Sequence, residues 1–124
     1  MKLSSLTPEQ KTRLLAELDG LAPVCRKETG LWHWENPTTG MTRNYGHGIS
    51  EEHLVAITNY LTSYDAIIPL IQKLWKDGTL LSGKFTSALK QVRNWHTMSL
   101  IEMLTHTPLQ LCDAVLVATG KAEL

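Results

Sequence analysis

Cysteine is scarce in this chain: Cys25 and Cys112 are the two among 124 residues. They stand far apart and form no C-x-x-C pair, which excludes a zinc knuckle and a dithiol redox motif and leaves two free thiols as the expectation. A surplus of one charge is missing too, since Lys plus Arg and Asp plus Glu both number 12. A general nucleic-acid binder needs excess cation to neutralise phosphates, so that class is excluded, although a local basic patch is not. Zero net charge also removes self-repulsion, which favours a homo-oligomer. No apolar run approaches the length of a membrane span, and the first twenty residues lack the apolar centre of a signal peptide. The expectation is a cytoplasmic, reducing location without a membrane partner.

Catalytic signatures are lacking as well. No G-x-S-x-G, P-loop or Rossmann glycine pattern occurs. Five histidines are present, His33, His47, His53, His96 and His106, but none forms the H-E-x-x-H pair that places two zinc ligands on one helical face. The carboxylates Glu51, Glu52, Asp65 and Glu102 form no pair spaced for glycosidase-like chemistry, and the first three suit helix first turns. A non-enzymatic chain without catalytic residues, metal or cofactor is therefore expected.

What is present is strong helix punctuation. Residues 107–121 spell a whole helix: Thr107 as N-cap, Pro108 at the first position, Gln110 closing a capping box, and Gly120-Lys121 as the stop. Thr7-Pro8-Glu9-Gln10 repeats that start and predicts a helix over 8–19, with Leu14, Leu15 and Leu18 inward and Lys11, Arg13 and Glu17 outward. Ser50-Glu51-Glu52 opens another helix, interrupted at 58–63. A new one follows with Thr62 or Ser63 as cap and a broad buried stripe of Ile67, Ile68, Ile71, Leu74 and Trp75, where Pro69 predicts a kink or a reset start. Lys76-Asp77-Gly78 stops it. Ser82-Gly83 reads as a loose point before a helix over 84–95, and 98–104 fits either a buried strand or a last helical turn, with the strand favoured by its place between a loop and the capped final helix.

Residues 30–48 differ. Trp32 and Trp34 alternate with His33 and Glu35 at strand period around a turn-rich Asn-Pro-Thr-Thr-Gly, which predicts a hairpin with Gly40 at positive φ. The two indoles share one face, where they either stack a nucleobase or pack on the core. On the return strand Arg43 and Tyr45 suit phosphate and ribose, while Arg43 equally suits an ion pair with Glu35. His47 lies between two glycines that let a ligand approach its ring, or is simply solvated. The candidate ligand-binding set is thus Trp32, Trp34, Arg43, Tyr45 and His47. Cys112, on the apolar side of the last helix, reads as a small buried hydrophobe.

The run Asn59-Tyr60-Leu61-Thr62-Ser63-Tyr64-Asp65-Ala66-Ile67-Ile68-Pro69-Leu70-Ile71-Gln72-Lys73, together with Thr107-Pro108 through Ala118-Thr119-Gly120-Lys121, resembles the small bacteriophage proteins grouped as the phage ABA sandwich domain. The likeness spans roughly residues 25–121, with Ala122 where that family carries an aromatic. It implies a phage or prophage protein, expected in the cytoplasm of a bacterial host. Some similar phage proteins are Thoeris anti-defence sponges, which bind cyclic ADP-ribose-type immune signals without cleaving them and assemble as oligomers. A nucleotide second messenger and a second copy of the chain are the partners so implied; no site residue is transferred. The alternatives are a protein-interaction module without a small-molecule ligand and, behind it, a small enzyme using His47. The expected fold is α+β: a helix-rich single domain over 1–124, with the tryptophan hairpin and the strand at 98–104 forming a small antiparallel sheet against the helices.

Overall fold

The computed structural model describes residues 1–92 and 106–124, and for 43–45 the backbone alone. The described elements run α1 (Pro8–Leu18), β1 (Ala22–Cys25), β2 (Trp32–Glu35), β3 (Thr42–Gly48), α2 (Glu51–Ile57), α3 (Tyr64–Lys76), α4 (Ser82–Val92) and α5 (Pro108–Ala118). They make an α+β domain in which an antiparallel sheet of order β1-β2-β3 lies against the helices. The predicted strand at 98–104 and the end of the predicted helix over 84–95 lie outside the described residues.

Both capping boxes form. Thr7 and Thr107 each accept from the backbone N–H three residues on at 3.2 Å, and Gln10 and Gln110 each accept the cap's own N–H at 2.9 Å. The reciprocal bonds satisfy two of the amides that a helix start leaves unpaired. Gly20 and Gly120, at φ 77° and 78°, follow the ends of α1 and α5 as a left-handed stop requires.

The third strand is β1, and its Pro23 hides it from a strand reading. On an edge strand the missing N–H costs no ladder bond, so Pro23 sits opposite Trp34 without penalty. The β1–β2 and β2–β3 loops share one chemistry. Lys27-Glu28-Thr29-Gly30 and Pro37-Thr38-Thr39-Gly40 each end in a glycine at positive φ, 69° and 74°. Each also has a threonine hydroxyl accepting the amide two residues on, at 3.2 and 3.3 Å.

The core lies between sheet and helices. Leu15 and Ala16 of α1, Trp34 of β2, Leu54 of α2, Ile67, Leu70 and Leu74 of α3, and Val115 and Leu116 of α5 form one buried cluster. Two outward positions of α1 are tied down: Lys11 pairs with Asp113 of α5 at 2.8 Å, largely out of solvent, and Arg13 with Glu51 of α2 at 2.6 Å.

The broad inward stripe predicted for α3 needs correction. Its core face is Ala66, Ile67, Leu70 and Leu74, whereas Ile68 and Trp75 are 38% and 60% exposed and Ile71 is half-buried. The stripe expected from periodicity is wider than the face that joins the buried cluster. Ser63 is the N-cap, and the helix runs through an exposed Pro69 to Lys76. The one carbonyl that Pro69 leaves unbonded belongs to Asp65, an exposed residue whose carbonyl water can serve. α4 begins at Ser82, so Ser82-Gly83 forms its first turn and not a loose point.

Both cysteines are free thiols, Cys25 exposed and Cys112 buried. The Cys112 thiol donates to the Tyr60 carbonyl at 3.0 Å, and burial first, then the Asp113 charge, pushes its pKa far up. In the unfolded chain it titrates at about 8.5, so above that pH only the unfolded state loses the proton. Stability is therefore expected to be undiminished by this group below about pH 8.5 and to fall above it by about 1.4 kcal/mol per pH unit. Urea titrations of wild type and Cys112→Ala between pH 7 and pH 10 check this, the variant losing that component of the slope.

Candidate functional site

The hairpin separates the sequence-derived set. Trp34 is 2% exposed, and its indole N–H donates at 2.7 Å to the Thr58 hydroxyl, which donates in turn to the Leu54 carbonyl at 2.7 Å. A ring enclosed in this way has no free face, so Trp34 is a core residue and drops out of the candidate set. Trp32 is half-buried against the same cluster. The backbones of Arg43 and Tyr45 lie in β3, with Arg43 opposite Trp34, and their side chains lie outside the described residues.

His47 is exposed, in a bulge. Trp32 pairs with Gly48 and Trp34 with Arg43, so the single residue His33 of β2 faces the four residues 44–47 of β3. Two glycines make the excursion possible. Gly46 adopts φ 101°, and a Cβ on Gly48 would stand 2.5 Å from the Leu54 amide nitrogen where β3 meets α2. The bulge brings the His47 ring to 6.5 Å from that of His33, which is 4% exposed and whose buried Nδ1 has no hydrogen-bond partner among the described residues. Among the described residues no group of three or more His, Cys, Asp or Glu is placed to hold a metal ion.

A second cluster at the turn end of the hairpin was missed by motif reading. Asp19, the C-cap of α1, is 2% exposed. One carboxylate oxygen accepts the Tyr60 hydroxyl at 2.7 Å, and the other accepts Lys73 Nζ at 3.2 Å. Lys73 also donates to the Asp19 main-chain carbonyl at 2.6 Å, a cation placed at the negative end of α1. These bonds join α1, the 58–63 turn and α3, segments distant in sequence, so spacing could not disclose them.

Above this cluster lies a cleft of about 340 Å³, lined by Asp19, Lys73, Leu21 and the turn residues Asn36, Thr39, Met41 and Thr42. Asn36 is fixed there because its Oδ1 accepts the Thr38 and Thr39 amides at 2.9 and 3.2 Å. Its Nδ2 and the Lys73 ammonium converge over Gly20, standing 3.4 and 3.7 Å from where a Cβ would be. Gly20 thus leaves open a spot that two donors share. A larger depression of about 590 Å³ between α4 and the end of α5 is lined by Lys84, Thr79, Ser87, Gln91 and Thr119 among small and apolar groups, and it is more open to solvent than the cleft. No family model, curated protein or solved structure matches this chain.

Proposed function

We propose that this chain is a non-enzymatic binding protein that sequesters an acceptor-rich small molecule in the cleft at the hairpin turn. The observation that carries the reading is the convergence of Asn36 Nδ2 and Lys73 Nζ over Gly20, with Thr39 and Thr42 beside them. Fixed N–H donors next to an ammonium suit phosphate oxygens, and the cleft volume is within the range of small-molecule sites. The resemblance to phage ABA sandwich proteins supplies the class: a cyclic nucleotide immune signal held by a phage or prophage protein in the host cytoplasm. Binding without turnover agrees with the saturation of Asp19 by Tyr60 and Lys73 and with a Cys112 thiol that burial keeps protonated. Trp32 and His47 lie elsewhere on the sheet and are not required by this cleft.

A nucleotide of the right class is expected to raise the melting temperature, a ligand at a hundred times its Kd adding about 2.7 kcal/mol of stability. Thr39→Asp places a carboxylate at the cleft while keeping an acceptor for the Met41 amide, and it should abolish the shift without changing the unliganded melting temperature. Equal shifts in wild type and Thr39→Asp would rule this cleft out.

A second reading, the protein-interaction module, is favoured by one observation: Trp75 and Leu81 are 60% and 53% exposed near one end of α3. Monomers seldom expose contiguous apolar area without a use for it.

A further inference from the structure

His33, in the middle of β2, is buried, and its Nδ1 has no hydrogen-bond partner among the described residues. A buried imidazole nitrogen in that state gives up the hydration it had in the unfolded chain and receives no bond in return. A valine or leucine would fill the same strand position without that cost. The neighbouring Trp34 shows the usual remedy, its indole N–H being bonded to the Thr58 hydroxyl.

The ring beside His33 belongs to His47, and the bulge puts it there. Glu35 pairs with Thr42 and Trp34 with Arg43, a register that, carried on, would set His33 opposite Asn44 and Trp32 opposite Tyr45. Trp32 instead pairs with Gly48, three residues further along β3. Three residues of strand span about 10 Å, so in the regular register His47 would lie out of reach of His33. With the bulge the two rings stand 6.5 Å apart, their planes inclined at 45°. Bulges recur beside functional sites because they re-aim a side chain. Here an imidazole is re-aimed at a second imidazole.

Two neighbouring imidazoles are a donor set for a borderline divalent cation such as zinc, nickel or copper, whereas magnesium and calcium take oxygen ligands. With metal–nitrogen bonds of about 2.0–2.1 Å, two rings on one ion have centres roughly 5 Å apart at a tetrahedral angle and roughly 6 Å apart in line. The pair is slightly wider than that. His47 is exposed, with Gly46 and Gly48 on either side, so its side chain is free to turn inward while burial fixes His33.

We infer that His33 and His47 form a two-histidine site for a first-row divalent transition cation, with water completing the coordination. The ion gives the buried ring the partner it lacks and clips β2 to β3 across the bulge. No third His, Cys, Asp or Glu is placed with the pair among the described residues, so the site binds more weakly than a four-ligand structural zinc site and exchanges its ion. Sequence spacing could not disclose it, because its members meet only through the bulge. The inference is independent of the cleft over Gly20.

Calorimetric titration of the full chain with Zn²⁺, Ni²⁺ and Mg²⁺ in a non-chelating buffer, paired with melting temperatures, tests it. The expected result is one Zn²⁺ or Ni²⁺ per chain with a raised melting temperature, since the ion binds the folded pair and not the separated rings, and no effect of Mg²⁺. His47→Ala replaces an exposed side chain, so it keeps the metal-free melting temperature and weakens Zn²⁺ binding by more than the roughly tenfold that losing an outer-shell partner costs. His33→Leu is expected to lose the ion as well without loss of metal-free stability, because the orphaned nitrogen leaves with the ring. His53→Gln, which keeps an acceptor for the Ile49 amide, leaves binding unchanged. The absence of heat and of a melting shift with both transition cations at millimolar concentration overturns the inference. So does binding that survives His47→Ala or is lost in His53→Gln.

Discussion

Trp34→Ala is expected to destabilise the protein by about 3–5 kcal/mol, the range for removing a large aromatic from a packed core. Trp34 occupies the centre of β2, packs with the buried cluster of the helices, and is 2% exposed. Its removal loses the transfer energy of the ring and leaves a cavity bounded by secondary structure that cannot fully collapse. The Thr58 hydroxyl also loses its indole donor, although it keeps the Leu54 carbonyl as its own acceptor. Trp34→Phe is expected to cost less, since most of the apolar volume remains. Urea midpoints for the two variants should therefore separate widely; similar, small losses would mean that the ring is not in the core.

The second large effect is expected at Asp19. Asp19→Ala leaves the fully buried Tyr60 hydroxyl without this acceptor and removes the carboxylate that faces the Lys73 ammonium. An unsatisfied buried hydroxyl costs about 1–3 kcal/mol. Lys73 is 42% exposed and keeps the Asp19 main-chain carbonyl, so the lost ion pair adds little through solvent screening. A loss of about 1–3 kcal/mol is expected for Asp19→Ala and a smaller one for Asp19→Asn, which retains an acceptor. A double-mutant cycle with Tyr60→Phe checks the mechanism: if the hydroxyl–carboxylate bond carries the effect, the second substitution costs little once the first is made. Additive losses would place the cost elsewhere.

These residues divide what was legible in the sequence from what was not. Local chemistry was legible: the Thr-Pro-x-Gln starts, the stops at Gly20 and Gly120, and the strand alternation around Trp34 are set by neighbours within a few positions. β1 was not, because Pro23 argues against a strand unless the strand is known to lie at an edge, which only the assembled sheet decides. The near-copy of the loop Pro37–Gly40 at Lys27–Gly30 was the overlooked sign of a second hairpin. On α3 periodicity gave the right helix and too wide a buried face, since how much apolar surface becomes covered depends on the neighbouring elements. For the site, the proposed cleft is lined by the hairpin turn and by none of Trp32, Trp34, Arg43, Tyr45 and His47. The partners there, Asp19, Tyr60 and Lys73, come from three segments, and no spacing rule connects them.

The central claim is binding without chemistry at the cleft over Gly20. Its most direct test incubates the purified chain with cyclic ADP-ribose-type and linear nucleotides, removes what is free, releases what is bound by heat, and weighs it by mass spectrometry. The account predicts recovery of a nucleotide of unchanged mass from wild type and none from Thr39→Asp. Recovery of a cleaved product, or retention of nothing from the whole panel, would contradict it.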